Sequence, residues 1–436
     1  MMDESIDLNP IISERLSPRL IKILRMIGRF ADARGWNVFC VGGSVRDLLE
    51  GGRDNFDLDI LVEAHGLQFA REFARSVGGC YKLYRRFATA LVIMPGGIKI
   101  DVTTTREEYY PEPGALPRIL PGSLKEDLLR RDFTINAMAF SLNEGRFGRL
   151  IDLCGGLADL RARVIRVLHE RSFRDDPTRI FRAVRFQQRL GFMIEPRTEE
   201  LMRTAVDLRL FEKVSPERLR HELELIFREP DPPSAVAAMA RYDELRFIHP
   251  RLAYSRELAA LLDRVNRNHD WFRRAFPAED VSRFRLYFGA LLVPLSAADT
   301  ARTGEKFNLS RQYLDQLLAG KKDAREIARV LSSPDDVPPS RIFFLLQGRS
   351  PEIVLIIMSR IGSDESDRRI RTYLSGYRSA AGEVGGEDLK ELGLPPGPAY
   401  KRILHELLAA RLDGMVRSRE EELRLAHQLV DKLKKH

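Results

Sequence analysis

The chain has 436 residues, 44% of them hydrophobic and 31% charged, which suits a folded protein of two or more domains and excludes a disordered or fibrous one. Cys40, Cys80 and Cys154 lack metal-ligand spacing and fit a reducing cytoplasm without disulfides; the acidic start and the absence of an apolar run near ~20 residues argue against a secretory signal and a membrane span. A net charge of +8 and a pI near 9.4 permit a polyanionic partner without demanding one. In chain order, residues 1–17 read as a loose leader, and "SPRLIKILRMIGRFADARG" reads as an amphipathic helix capped by Ser17 with Pro18 in its first turn. "NVFCV" reads as a buried strand, "SVRDLLEG" as a helix after the Gly42-Gly43 turn, and "FDLDILV" as the next strand. "GLQFAREFARSVGG" is a helix ending in glycine, and "TALVIMPGGIKIDVTTT" a hairpin turned at Pro95-Gly96-Gly97. After Val164 helical periodicity takes over, with starts at Asp176-Pro177 and Ser215-Pro216 and a Pro-rich hinge at 228–234.

Four features carry chemistry. Gly42-Gly43, between a strand and a helix, either forms a plain turn or lets backbone approach an anion, with Arg46 one turn further on. Asp57 and Asp59, two apart on a strand, share one face. They are either acidic surface positions or oxygen ligands for Mg²⁺. Asp101, alternating with Ile100 and Val102, offers a third carboxylate from a neighbouring strand or is another solvated position. From Arg161 to Arg189 nine arginines stand against three acids, and Arg179, Arg182 and Arg185 recur every third residue on one helix side. Such arginines line a basic surface or, paired with Asp176, read a base edge: Asp accepts, Arg donates, and cytosine and adenine each present an amine beside a ring-nitrogen acceptor. The set suits two-metal nucleotidyl transfer. The His-Asp pair in "NHDWFRR" (268–274) has no companion ligands and reads as a surface helix or loop.

"VGGSVRDLL…DNFDLDI" resembles the signature of class II tRNA nucleotidyltransferases and related bacterial poly(A) polymerases of the DNA polymerase beta superfamily. "RRDFTINAMAF" (130–140), "IDLCGGLADL" (151–160), "DDPTRIFRAVRF" (175–186) and "SPERLRHELELIF" (215–227) are similar to the family's later motifs, in its order. The resemblance runs from about residue 36 to 227 and is weaker in the tail, at "GEDLKELGLPPGPAYKRILHELL". It implies an α+β fold: a small mixed-sheet nucleotidyltransferase head (1–160, with the leader), then an elongated helical neck with the nucleotide-template helix (161–230), body (231–330) and tRNA-binding tail (331–436).

It further implies that Asp57 and Asp59 bind Mg²⁺; Asp101, by its own strand position, is expected beside them as a third catalytic carboxylate. Gly43, Arg46 and Arg131 would contact nucleotide phosphates, with Gly42 in the same anion-approach turn, and Asp132 and Asn136 would lie near the ribose. Asp176 and Arg179 would read the incoming base, and Arg182 and Arg185 would complete the pocket. Asp175 stands where the family usually has Glu. The Pro- and Gly-rich segment 106–127 falls where the family carries a mobile loop. The expected activity is untemplated completion of the tRNA 3′-terminal CCA from ATP, with CTP left open as a further substrate and pyrophosphate released. The partners are the tRNA 3′ end and nucleotides, with no membrane or obligate protein partner, in the cytoplasm. Alternatives are a poly(A) polymerase acting on general RNA, a CC-adding enzyme, a small-molecule nucleotidyltransferase, and an RNA-binding protein without activity.

Overall fold

The computed structural model describes residues 6–51 and 58–434. Asp57 therefore lies outside the described residues. The described chain divides into two compact units, one formed by the residues up to Pro230 and by Ser234–Phe247, the other by Asp231–Pro233 and the residues from Ile248 onward.

The first unit opens with helix α1 (Asn9–Arg15) and helix α2 (Pro18–Asp32). The segment 1–17 is thus not a loose leader throughout. Leu8, Ile12 and Leu16 are all buried, four residues apart on one helix side, and Leu8 N–H bonds the Gly148 carbonyl. Ser17 caps α2 by accepting from the Leu20 N–H at 3.3 Å. Strand β1 (Val38–Val41) runs into helix α3 (Gly43–Glu50), then strand β2 (Leu58–Val62), helix α4 (Gly66–Ser76) and strand β3 (Cys80–Tyr84) follow. Strands β4 (Thr89–Ile93) and β5 (Lys99–Thr104) form the hairpin expected around Pro95-Gly96-Gly97.

A second hairpin, β6 (Arg106–Tyr109) and β7 (Arg118–Pro121), occupies the segment read as a loop. Each strand has only four residues, β6 is largely charged, β7 ends on Pro121, and Pro111, Pro113, Gly114 and Pro117 crowd the connection, so no strand alternation announces it. Helix α5 (Leu124–Leu129), held by a Ser123–Glu126 capping box, precedes strands β8 (Met138–Ser141) and β9 (Leu150–Asp152).

Seven strands form one mixed sheet in the order β3-β4-β5-β2-β1-β8-β9. Only the central β2–β5 pair is parallel, with Asp59 opposite Asp101. One face of β2, β4 and β5 buries Ile60, Ala90, Val92, Ile100 and Val102, and α4 packs against these strands through a helix whose Phe69 and Phe73 are fully buried. Each such phenylalanine stabilises the layer by roughly 1.5–3 kcal/mol. The other face of β2 and β5 presents Asp59 and Asp101.

Beyond the sheet lie helix α6 (Gly156–Ala162), the one-turn helix α7 (Ser172–Asp175) and helix α8 (Thr178–Leu190), which ends on Gly191 at φ 64°. Helix α9 (Pro196–Asp207) and helix α10 (Pro216–Arg228) follow, the latter beginning directly after Ser215. Helix α8 buries Ile180, Phe181 and Val184 and packs along α10. Its Arg179, Arg182 and Arg185 line a shared cavity.

The second unit is helical among the described residues. Its longest helix, Arg256–Ala275, carries His269, which is 2% exposed rather than on a surface as the sequence suggested. Burial, then nearby Arg283, lowers the His269 pKa to about 4. The C-terminal helices Gly386–Glu391, Pro398–Leu412 and Arg419–Lys434 close around Leu389, Ile403, Leu407, Ala426 and Val430. No single described helix is long and apolar enough to cross a membrane.

Candidate active site

A cavity of about 720 Å³ lies in the first unit between the sheet, α3, α8 and α10. Its wall includes Gly43, Arg46, Asp59, Arg131, Asp132, Asn136, Asp176, Arg179, Arg182 and Arg185. Residues from four separate stretches of sequence thus meet in one pocket. Gly42 stands just behind this wall. Asp101 is brought beside Asp59 by register and does not itself line the cavity.

The strand-to-helix turn has a geometric reason for its glycine. Gly42 has φ 70°, and a Cβ there would come within 2.7 Å of Arg131 Nη1. Its N–H bonds the Met138 carbonyl, which pins the turn to β8. Helix α3 then aims its N-terminus and Ser44 toward the carboxylates, with Ser44 Oγ donating to Asp59 Oδ2 at 3.4 Å.

Arg46, 3% exposed, is held from both sides. Its Nη2 lies 2.7 Å from Asp47 Oδ1, and its Nη1 donates to Asn136 Oδ1. Asn136 Nδ2 donates in turn to Asp132 Oδ1 at 3.0 Å, and Arg182 Nε donates to Asp132 Oδ2 at 2.9 Å. This chain of donors and acceptors joins α3, the β8 approach and α8. Burial alone would push the Asp132 carboxyl up; Arg182 and the Asn136 hydrogen bond outweigh it and hold the pKa at about 2. Arg182 is correspondingly raised, by Asp132 first.

The opposite wall is set by α8 and α10. Asp176 Oδ1 accepts from the Thr178 N–H (3.0 Å), the Thr178 hydroxyl (2.6 Å) and Arg218 Nη2 (2.7 Å). The first bond is the capping role expected of this acid. None of these three donors uses Oδ2. Arg179 Nη1 donates to Ser172 Oγ and Nη2 to the Arg130 carbonyl, each at 2.7 Å. Those two bonds fix the plane of the guanidinium and leave three of its five N–H donors. Arg185 is lowered by burial, then by Arg182; Glu222 is raised by burial against the pull of Arg182 and Arg185. Arg131 Nε, Arg185 Nε and Glu222 Oε2 are buried and lack hydrogen-bond partners among the described residues. Unpaired buried groups around the pocket fit a polar ligand that would satisfy them.

Several wall residues were not singled out in the sequence. Arg218, His221 and Glu222 stand at one-turn spacing in "SPERLRHELELIF" and share a helix side. That periodic signal was available. Tyr110 and Glu108, from the unexpected hairpin, had none. For a metal, Asp59 and Asp101 supply hard oxygen donors on adjacent strands, which matches divalent cations that prefer carboxylates. Among the described residues there is no group of three His, Cys, Asp or Glu able to hold an ion.

Comparison with known proteins identifies the scaffold. A model of the poly A polymerase head domain matches residues 38–166, and one described as a probable RNA and SrmB-binding site of polymerase A matches residues 191–255. An A-adding tRNA nucleotidyltransferase of Geobacter sulfurreducens is 41% identical over 425 residues, which are 97% of this chain and 48% of that protein. The chain thus spans about half the length of that relative. The A-adding tRNA nucleotidyltransferase of Halalkalibacterium halodurans is 31% identical over 440 residues, 98% of this chain and 96% of the relative. The solved Thermotoga maritima CCA-adding enzyme complexed with tRNA_CCA aligns at a TM-score of 0.81 and 33% identity, covering 99% of this chain and 100% of that one. With the mixed-sheet head, the helical remainder and these relatives all in agreement, the chain belongs to the family of A-adding and CCA-adding tRNA nucleotidyltransferases.

Proposed function

We propose that the protein adds the terminal A to tRNA ending in CC, using ATP, without a nucleic-acid template. The observation that carries this is the pocket itself, which Asp59 on the sheet lines together with Asp176, just before α8, and Arg179, in its first turn. The names of the relatives favour A over C as the nucleotide added.

The adenine would be read by Asp176 Oδ2, accepting from the exocyclic amine, and by the remaining Arg179 N–H groups, donating to the ring nitrogen. Because Arg218 and Thr178 immobilise Asp176, and Ser172 and the Arg130 carbonyl immobilise Arg179, the reading groups are set before the base arrives. Arg46, Arg131 and the α3 N-terminus at Gly42-Gly43 would hold the triphosphate, with Arg182 and Arg185 at its base-proximal side. Asp132 and Asn136 would sense the ribose hydroxyl. In the reaction the RNA 3′-oxygen bonds the α-phosphorus, the bond from that phosphorus to the bridging oxygen of the β-phosphate breaks, and pyrophosphate leaves. Asp57, Asp59 and Asp101 would hold Mg²⁺, which would lower the pKa of the attacking hydroxyl and neutralise charge on the leaving pyrophosphate.

The test offers tRNA ending before CCA, after C and after CC, with each nucleoside triphosphate separately. Incorporation of A only into the CC-ended form is expected. Long A tails on unrelated RNA would replace this reading with a poly(A) polymerase, and incorporation of C alone with a CC-adding enzyme.

A further inference from the structure

We propose that the open sheet face between Asp101 and the β3 edge is a platform for the last nucleotides of the RNA 3′ end, with Lys82 and Tyr84 as positioning residues. This rests on the reading above, in which Asp59 and Asp101 mark where the 3′-hydroxyl reacts.

The register makes the argument. Asp59 on β2 stands opposite Asp101 on β5, Asp101 opposite Leu91 on β4, and Leu91 opposite Lys82 on β3. Residues directly opposite one another on neighbouring strands project to the same face, so these four form one row across the sheet. Lys82 is two strands from Asp101, roughly 10 Å at ~4.8 Å per strand. That is the length of about three stacked nucleotides at roughly 3.4 Å each. Tyr84, two residues along β3, shares this face, and the Lys82 Nζ lies 5.2 Å from its ring centroid.

The buried face of these strands is apolar, and the face in question is open. Lys82, Lys99 and Asp101 are exposed, Leu91 and Thr89 are half-buried, and Tyr84 is 41% exposed. Past the end of β3, Arg85 and Arg86 add charge, and Phe87, 49% exposed, lies under the Arg86 guanidinium at 5.7 Å. Arg106 donates to the Phe87 carbonyl and ties this corner to the β6–β7 hairpin. Among the described residues, Lys82, Arg85, Arg86 and Lys99 form no ion pair with a carboxylate. Uncompensated cations beside exposed aromatic rings match a single strand, with phosphates to neutralise and base faces to stack. The site at the row's other end consumes such a strand, so charge and continuity both select RNA as the occupant.

The experiment measures steady-state addition of A to CC-ended tRNA by wild type, Lys82→Glu, Lys82→Arg and Tyr84→Ala. Lys82→Glu and Tyr84→Ala are expected to raise the KM for tRNA about tenfold, with kcat and the KM for ATP within about twofold, in line with the worth of one stacking or phosphate contact. Lys82→Arg should restore the wild-type value. The slope of log KM for tRNA against log salt should fall by about 1 in Lys82→Glu. A tRNA KM unchanged in both variants overturns the platform, as does a loss confined to kcat or to the KM for ATP. If wild type itself fails to extend tRNA, the proposed function falls instead, so the two failures are separable.

Discussion

Replacing Asp132 by Asn should destabilise α8 by about 2–3 kcal/mol, and the structure supplies two routes to that figure. Asp132 is 7% exposed and takes four hydrogen bonds, from the Phe133 N–H, Asn136 Nδ2, and Arg182 Nε and Nη2. Its pKa of about 2 against an ordinary 3.8 corresponds to about 2 kcal/mol of preference for the charged form, at roughly 1.36 kcal/mol per pKa unit. Independently, removing one partner of a buried ion pair costs about 3–5 kcal/mol. The Arg182 side chain is 31% exposed and recovers part of this through water.

Asn keeps the oxygen that faces Asn136 but turns an N–H₂ toward the guanidinium, so the substitution opposes two donors. The assay is native-state hydrogen exchange of the α8 amides at neutral pH for wild type, Asp132→Asn, Arg182→Met and the double variant. Local exchange suits a chain of two compact units better than a single global unfolding signal. The double variant should be less destabilised than the sum of the singles by at least about 1 kcal/mol. Additive costs, or an Asp132→Asn effect below about 0.5 kcal/mol, would refute the ion pair as the tie between α8 and the sheet. Because the folded pKa is lowered, the contribution is complete above the unfolded value near 3.8 and is lost as pH falls through about 2.

Asp59→Ala should abolish nucleotide incorporation while leaving tRNA affinity within about threefold, as a filter-binding assay would show; retained incorporation would remove Asp59 from the reaction centre. Gly42→Ala should raise the KM for ATP and cost about 1–2 kcal/mol of stability, because φ 70° and the 2.7 Å approach to Arg131 both oppose a Cβ. Normal ATP kinetics in that variant would contradict the close-approach account. In the second unit, His269 is neutral when folded, so its lowered pKa weakens the unit as pH falls from 6.5 through about 4. The loss should reach about 3 kcal/mol, and His269→Gln should flatten it in urea titrations across that range; an unchanged pH profile would exclude His269 as the source.

The sequence made the α/β order legible wherever period and punctuation agreed. Alternation around Asp101 predicted β5, and Gly42-Gly43 and Ser215-Pro216 marked helix starts that the structure shows. The co-location of residues 43, 59, 131, 132, 136 and 176–185 followed from motif order rather than from any local rule. What stayed hidden was long-range or weakly patterned. Arg218 reaches Asp176 across 42 positions, a contact no helical period reveals. The β6–β7 hairpin is held by backbone pairing between strands of four residues, whose alternating side chains are mostly charged or exposed. The apolar spacing of Leu8, Ile12 and Leu16 was present but short, and the acidic residues before it masked it. The burial of His269 is not legible because its polar flanking sequence says little about which helix side meets the core.

The pocket's charge inventory has a consequence for selectivity. Among the described residues its wall carries eight arginines, at 46, 130, 131, 179, 182, 185, 189 and 218, and seven carboxylates, at 47, 59, 108, 132, 176, 217 and 222. Such a cavity is close to electroneutral before anything enters. It does not act as a sink for any passing polyanion, as an unbalanced basic groove would. An entering triphosphate gains chiefly where its oxygens take over donors that carboxylates now occupy, meet the unpaired Arg131 and Arg185 nitrogens, or reach the α3 N-terminus. Discrimination therefore resides in the exchange of partners, and nucleotide affinity should depend far less on ionic strength than tRNA affinity does.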